Sequence, residues 1–211
     1  EILTSEGTFI GIYVIIKKLG RQAVLTPLHE WSYDLTRMLS MITPKTKVII
    51  VNSPSNPSGA VLDDEEFRKI YALTARKGIW LITDECYCHF LYNGKPYSVA
   101  SEQGAKDTVI VAGSLSKTYA MTGWRIGFTA GPAALIKEMT KLQAQVTSGP
   151  SSVGQAAALA ALAHRLADCG VLPYYLHLLD RVRGTSHFEV EQQRAVHIVR
   201  ALSAMLPGYL V

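Results

Sequence analysis

Three short apolar runs constrain this chain more than any other feature: Val48-Ile49-Ile50-Val51, Ile79-Trp80-Leu81-Ile82-Thr83 and Val109-Ile110-Val111-Ala112. Each is continuous rather than alternating and rich in β-branched residues, the pattern of a strand covered on both faces. Helical signals lie between them. Asp63 with Glu66 three places on is a capping box, and the helix it announces ends at Lys77-Gly78. Strands alternating with helices predict an α/β fold with a mostly parallel sheet flanked by helices.

The remaining segments extend this pattern. Glu1 to Thr4 reads as the tail of a strand, Phe9 to Leu19 as a helix closed by Gly20, and Gln22 to Leu25 as a short strand. Leu35, Met38, Leu39 and Ile42 fall on one helical face, which Thr43-Pro44 ends. Tyr92-Asn93-Gly94-Lys95 predicts a tight hairpin, and Pro132 starts a helix expected to turn Leu135, Ile136, Met139 and Leu142 inwards. After Gly149-Pro150 only helices are expected, one of them capped by Ser186 and Glu189. Residues 1–150 thus read as the sheet-bearing core, and 151–211 as a helical segment leading to a second, smaller domain.

Composition narrows the function classes. The 211 residues carry a net charge of +4 with basic residues scattered, which gives nucleic acid no stripe to bind. No apolar run reaches membrane-spanning length, and nothing at the start resembles a signal peptide, so the expected location is cytoplasmic. Cys86, Cys88 and Cys169 make no even framework, which suits a reducing compartment, and with His89 they fall short of a well-spaced metal set. The chain opens with Glu1 and stops at Val211 just past Pro207-Gly208, so it is expected to be part of a longer one.

The chemistry concentrates after the strands. Asn56 follows the first run, Asp84 and Tyr87 the second, Ser114, Ser116 and Lys117 the third, with Arg125 eight residues beyond the lysine. Open α/β sheets keep their ligands at these carboxyl ends. A lysine amine, small hydroxyls and a guanidinium brought together suit a phosphorylated aldehyde. A nucleotide phosphate loop fits poorly, because Ser116 stands where that motif needs glycine. Taken singly, these residues also suit solvated turns and caps.

Four ordered motifs, Asn56-Pro57-Ser58-Gly59, Asp84-Glu85-Cys86-Tyr87, Ser114-Leu115-Ser116-Lys117 and Gly123-Trp124-Arg125-Ile126-Gly127, resemble those of the class I/II aminotransferases. These are fold-type I enzymes that depend on pyridoxal 5'-phosphate (PLP). The resemblance runs from about Glu1 to Leu142 and implies the large domain, incomplete at its amino end. It implies that Lys117 is the Schiff-base lysine and that Asp84 pairs with the cofactor's ring nitrogen. Asn56 and Tyr87 would bond the phenolic oxygen, Ser114 and Arg125 would hold the phosphate, and Phe9 would stack on the ring. Ser116 would add a phosphate contact. The implied activity moves an amino group between an amino acid and a 2-oxo acid, within a homodimer of the full-length protein. A sibling carbon-sulfur lyase, or the PLP-binding sensor domain of a transcriptional regulator, shares these motifs. The resemblance also puts the family's glycine-rich phosphate segment before Glu1 and its substrate-carboxylate arginine after Val211, and leaves the amino acid substrate unspecified.

Overall fold

The computed structural model describes residues 1–168 and, singly, positions 193, 196, 197 and 200. The elements run β1 (Ile2–Ser5), α1 (Ile10–Lys18), β2 (Ala23–Thr26), β3 (Leu28–His29), β4 (Ser32–Tyr33), α2 (Leu35–Ser40), β5 (Val48–Asn52), α3 (Asp64–Lys77), β6 (Trp80–Asp84), β7 (Val109–Ser114), α4 (Leu115–Thr118), β8 (Gly127–Ala130), α5 (Ala133–Val146) and α6 (Ser152–Asp168). Residues 1–149 make one compact unit, and the next begins at Pro150. The predicted cap at Ser186 and Glu189 lies outside the described residues.

Six strands form one sheet in the order β2-β1-β5-β6-β7-β8. Every pairing is parallel except β7 with β8. The continuous apolar runs occupy its centre, and Leu3, Ile49, Val51, Leu81, Val109 and Val111 are all buried. Helix α3 covers them with Phe67 and Ile70, and Met38 of α2 joins the same cluster. Its two ends are set as the sequence predicts. Asp63 accepts from the Glu66 amide while Glu66 accepts from the Asp63 amide, and Gly78 closes the helix at φ +63°.

Two expectations fail. Gly94 does take a positive φ of +87°, yet no strands flank it. Pro96 lacks the amide that a second hairpin strand would need there. Helix α5 buries none of its residues; Leu135 and Ile136 are half-buried, whereas Met139 is exposed and Leu142 is 66% exposed. Periodicity defines an apolar stripe but not what covers it. Strand β8 is exposed throughout. Helix α1 likewise leaves Ile10 and Ile15 open to solvent, as is Leu19 just past its end.

One hairpin escaped the sequence reading. Strands β3 and β4 pair antiparallel through Glu30 and Trp31, both at positive φ. That backbone favours asparagine and glycine, so neither residue announces the turn.

Candidate active site

The strand ends bring the candidate residues to one edge of the sheet. Asn52 and Asp84 face each other in register as the last residues of β5 and β6, and Asp84 faces Ala112 of β7 on its other side. Asn56, Tyr87, Ser114 and Lys117 all follow within a few residues of this line. Because β8 runs antiparallel, Ser114 pairs with Gly127, and Arg125 returns to the same edge from the other direction.

Side-chain contacts link most of them. The Lys117 Nζ lies over the Tyr87 ring, 5.6 Å from its centroid. Asn56 Nδ2 stands 3.5 Å from the Tyr87 hydroxyl, and the Asn56 amide donates to Asn52 Oδ1 at 2.9 Å. Asn52 Nδ2 in turn reaches the Asp84 carbonyl at 3.5 Å. Asp84 Oδ1 accepts from the Cys86 amide at 3.0 Å. A continuous path therefore joins the lysine amine to the segment that carries the carboxylate.

Electrostatics set Asp84 apart. Burial pushes its carboxyl up, and the Cys86 amide offsets this only in part. Among the described residues no cation is paired with it. A half-buried carboxylate with one neutral donor is poorly compensated, and a cationic N–H would complete it. Burial and the Asp84 charge also push the Cys86 thiol up, against the pull of the Ser114 hydroxyl and the Lys117 ammonium. That thiol thus senses both sides of the site.

The other candidates are less joined. The Ser114 hydroxyl caps α4 by accepting from the Ser116 amide at 3.0 Å and donates its proton to the Ile126 carbonyl at 3.2 Å. It donates to a phosphate only after releasing Ile126. Ser116 is buried, and its carbonyl accepts from Thr122 Oγ1. Arg125 is exposed, spends one guanidinium donor on the Thr122 carbonyl at 3.0 Å, and holds φ +55°, a strained backbone for a side-chain-bearing residue. Phe9 sits just before α1, 46% exposed, with its ring packed back over Gly11. Lys117 is exposed at the mouth of the site rather than sunk in it.

Three residues beneath the site were missed in the sequence. Asn52 is buried at the end of an otherwise apolar strand, a polar residue where the run should have continued. The Tyr33 hydroxyl donates to the Asn52 carbonyl, and Ser55 Oγ donates to the Gly7 carbonyl at 2.6 Å. No local signal marks Tyr33, because its partner lies on another strand.

The family model for aminotransferase class I and II matches residues 1–170. The chain belongs to that family. An aspartate aminotransferase of Sulfurisphaera tokodaii is 35% identical over 166 residues, 76% of this chain and 42% of that relative. Among solved structures, a double mutant of the Thermus thermophilus aspartate aminotransferase superposes with a TM-score of 0.74 at 31% identity, covering 80% of this chain and 44% of that one. An aromatic aminotransferase from Pyrococcus horikoshii gives 0.73 at 32%, covering 80% and 46%. This class I and II aminotransferase chain thus spans less than half the length of these relatives, and its mostly parallel, helix-flanked sheet is theirs. Among the described residues no helix is long and apolar enough to cross a membrane.

Proposed function

We propose that the protein containing this chain is a PLP-dependent aminotransferase, moving an amino group between an amino acid and a 2-oxo acid. One observation carries the reading: the contacts from Lys117 through Tyr87, Asn56 and Asn52 to the Asp84 strand end tie an amine and a poorly compensated carboxylate to one edge of the sheet. The donor set suits the cofactor. Asp84 would pair with its ring nitrogen, Asn56 and Tyr87 would donate to its phenolic oxygen, Arg125 would grip its phosphate with Ser114 beside it, and Phe9 would lie against the ring. When bound, PLP supplies an electron sink whose strength depends on a protonated ring nitrogen.

The chain's own residues supply the rest. Asp84, ionised, would hold that nitrogen's proton in place. Lys117 would anchor the aldehyde carbon through its amine. With its amine free, the Lys117 Nζ would act as the general base that takes the proton from the substrate's α-carbon. The aromatic face of Tyr87 would hold the Lys117 Nζ near the reacting atoms.

The names of the matched relatives support acidic or aromatic amino acids as amino donors. The open apolar side chains of Ile10 and Ile15 on α1 and of Leu19 just after it support association into a homodimer. A cytoplasmic location accords with the cysteine usage.

The test is to incubate the full-length protein with PLP, reduce with borohydride and locate the modified peptide. A label at Lys117 is expected; a label elsewhere overturns the assignment. Amino-group exchange between glutamate and a 2-oxo acid then separates an aminotransferase from a lyase or a sensor.

A further inference from the structure

We infer that Tyr33, Asn52 and Ser55 form a buried positioning unit under the cofactor site, which sets Asn56 relative to Asp84 and to the loop that carries Phe9. The inference rests on the PLP reading above and concerns residues that touch no cofactor themselves.

Asn52 is 1% exposed, and its side chain is spoken for at both ends. Oδ1 accepts from the Asn56 amide at 2.9 Å, and Nδ2 reaches the Asp84 carbonyl at 3.5 Å. Rotating this amide would leave the part-buried Asn56 amide without its acceptor, while the Asp84 carbonyl would keep only the Ser53 amide at 3.2 Å. One side chain thereby couples the loop of Asn56 to the strand of Asp84. The Tyr33 hydroxyl pins the same residue from behind by donating to the Asn52 carbonyl. Burial holds the Tyr33 phenol up to about 12, so it stays a donor across the working range. Ser55 lies against the same hydroxyl and donates to the Gly7 carbonyl at 2.6 Å, two residues before Phe9. Two loops and a strand end that would touch different parts of a flat ring therefore meet at one cluster. Such clusters act as units, because losing one member leaves its partners unpaired.

The experiment uses the full-length protein and two signals besides turnover: the pH at which the absorption of bound PLP changes, and its dissociation constant by equilibrium dialysis. Donors on the phenolic oxygen withdraw its charge, so Asn56→Ala shifts that pH. Tyr33→Phe removes one oxygen that contacts no cofactor. If it acts through Asn56, it shifts the transition in the same direction as Asn56→Ala and weakens PLP binding about 3- to 10-fold, the size of one hydrogen bond. In the Asn56→Ala background it then adds no further shift in the absorption transition. A Tyr33→Phe protein that titrates like the parent, or whose shift adds fully to that of Asn56→Ala, overturns the inference. Should Asn52→Ala fail to fold, Tyr33→Phe still decides. Borohydride labelling of Lys117 distinguishes this failure from failure of the cofactor reading, which would also leave Asn56→Ala without effect.

Discussion

The Tyr87 ring carries two contacts on different parts of one side chain: its face lies 5.6 Å from the Lys117 Nζ, and its hydroxyl lies 3.5 Å from Asn56. Two substitutions separate them. Tyr87→Phe keeps the face and loses the hydroxyl, so Lys117 remains the labelled residue while PLP binds about 3- to 10-fold more weakly. Tyr87→Leu also removes the cation-π contact, which adds about 0.5–1 kcal/mol to the loss. Equilibrium dialysis on both variants checks the order; equal affinities would show that the face contributes nothing.

Asp84 predicts a stability effect opposite to its chemical one. Its folded carboxyl is raised by burial, so it favours the fold while protonated, below the ordinary carboxylate range of about 4, and that contribution is lost as pH rises through the raised value. Glu85 is pushed the same way by burial. Cofactor-free Asp84→Asn should therefore melt higher than the parent at neutral pH, with the gap closing on acidification below about pH 4. The same substitution should remove most amino-group exchange in the full-length protein. Thermal melts across pH test the first half, and a gap that widens in acid would refute it.

Gly113 faces Phe128 across the β7–β8 ladder, and a Cβ added there would come within 2.2 Å of the ring. The ring is 55% exposed and can swing outward, so Gly113→Ala should cost only about 1 kcal/mol. With Phe128→Ala the clash is gone, and the same change should stabilise by about 0.4–1 kcal/mol through the unfolded chain. Urea titrations of the double-mutant cycle read the change of sign directly.

Two leucines separate core from apolar stripe. Leu81 is fully buried at the centre of the sheet, and Leu81→Ala should cost about 2–5 kcal/mol. Leu142→Ser on α5 should stay within about 0.5 kcal/mol in this chain, since its side chain is largely exposed. Denaturant midpoints check both, and a large cost at Leu142 would place a covering element over α5.

What the sequence made legible was local. Continuous β-branched runs marked the central strands, though one face is better covered than the other, with Ile49, Val51 and Leu81 buried, Ile50 and Ile82 half-buried and Trp80 exposed. The capping box at Asp63 and Glu66 fixed a helix start through bonds three residues apart. Ordered motifs located the polar edge, because Asp84 and Ser114 stand where apolar runs stop and Arg125 stands just before the returning strand. What stayed hidden depends on distant partners. Tyr33 gains its meaning from Asn52, nineteen positions away on another strand. The stripe on α5 could not say whether anything faced it, and Pro96 outweighed the Asn93-Gly94 signal by denying a second strand its amide. Ser114 was expected to offer its hydroxyl outward, yet the cap and the Ile126 carbonyl engage it, a competition visible only once the returning strand is in place.

That returning strand has one more consequence. The backbone leaves the ladder at Ser114 and re-enters opposite the same residue at Gly127, so the excursion holding Lys117 and Arg125 is a loop stitched shut at its base. An inserted residue absorbed by sliding β8 would turn Phe128 and its neighbours to the opposite side and break the pairing of Ser114 with Gly127. The reach from amine to guanidinium is therefore a property of strand pairing, and loop sequence can drift without stretching it.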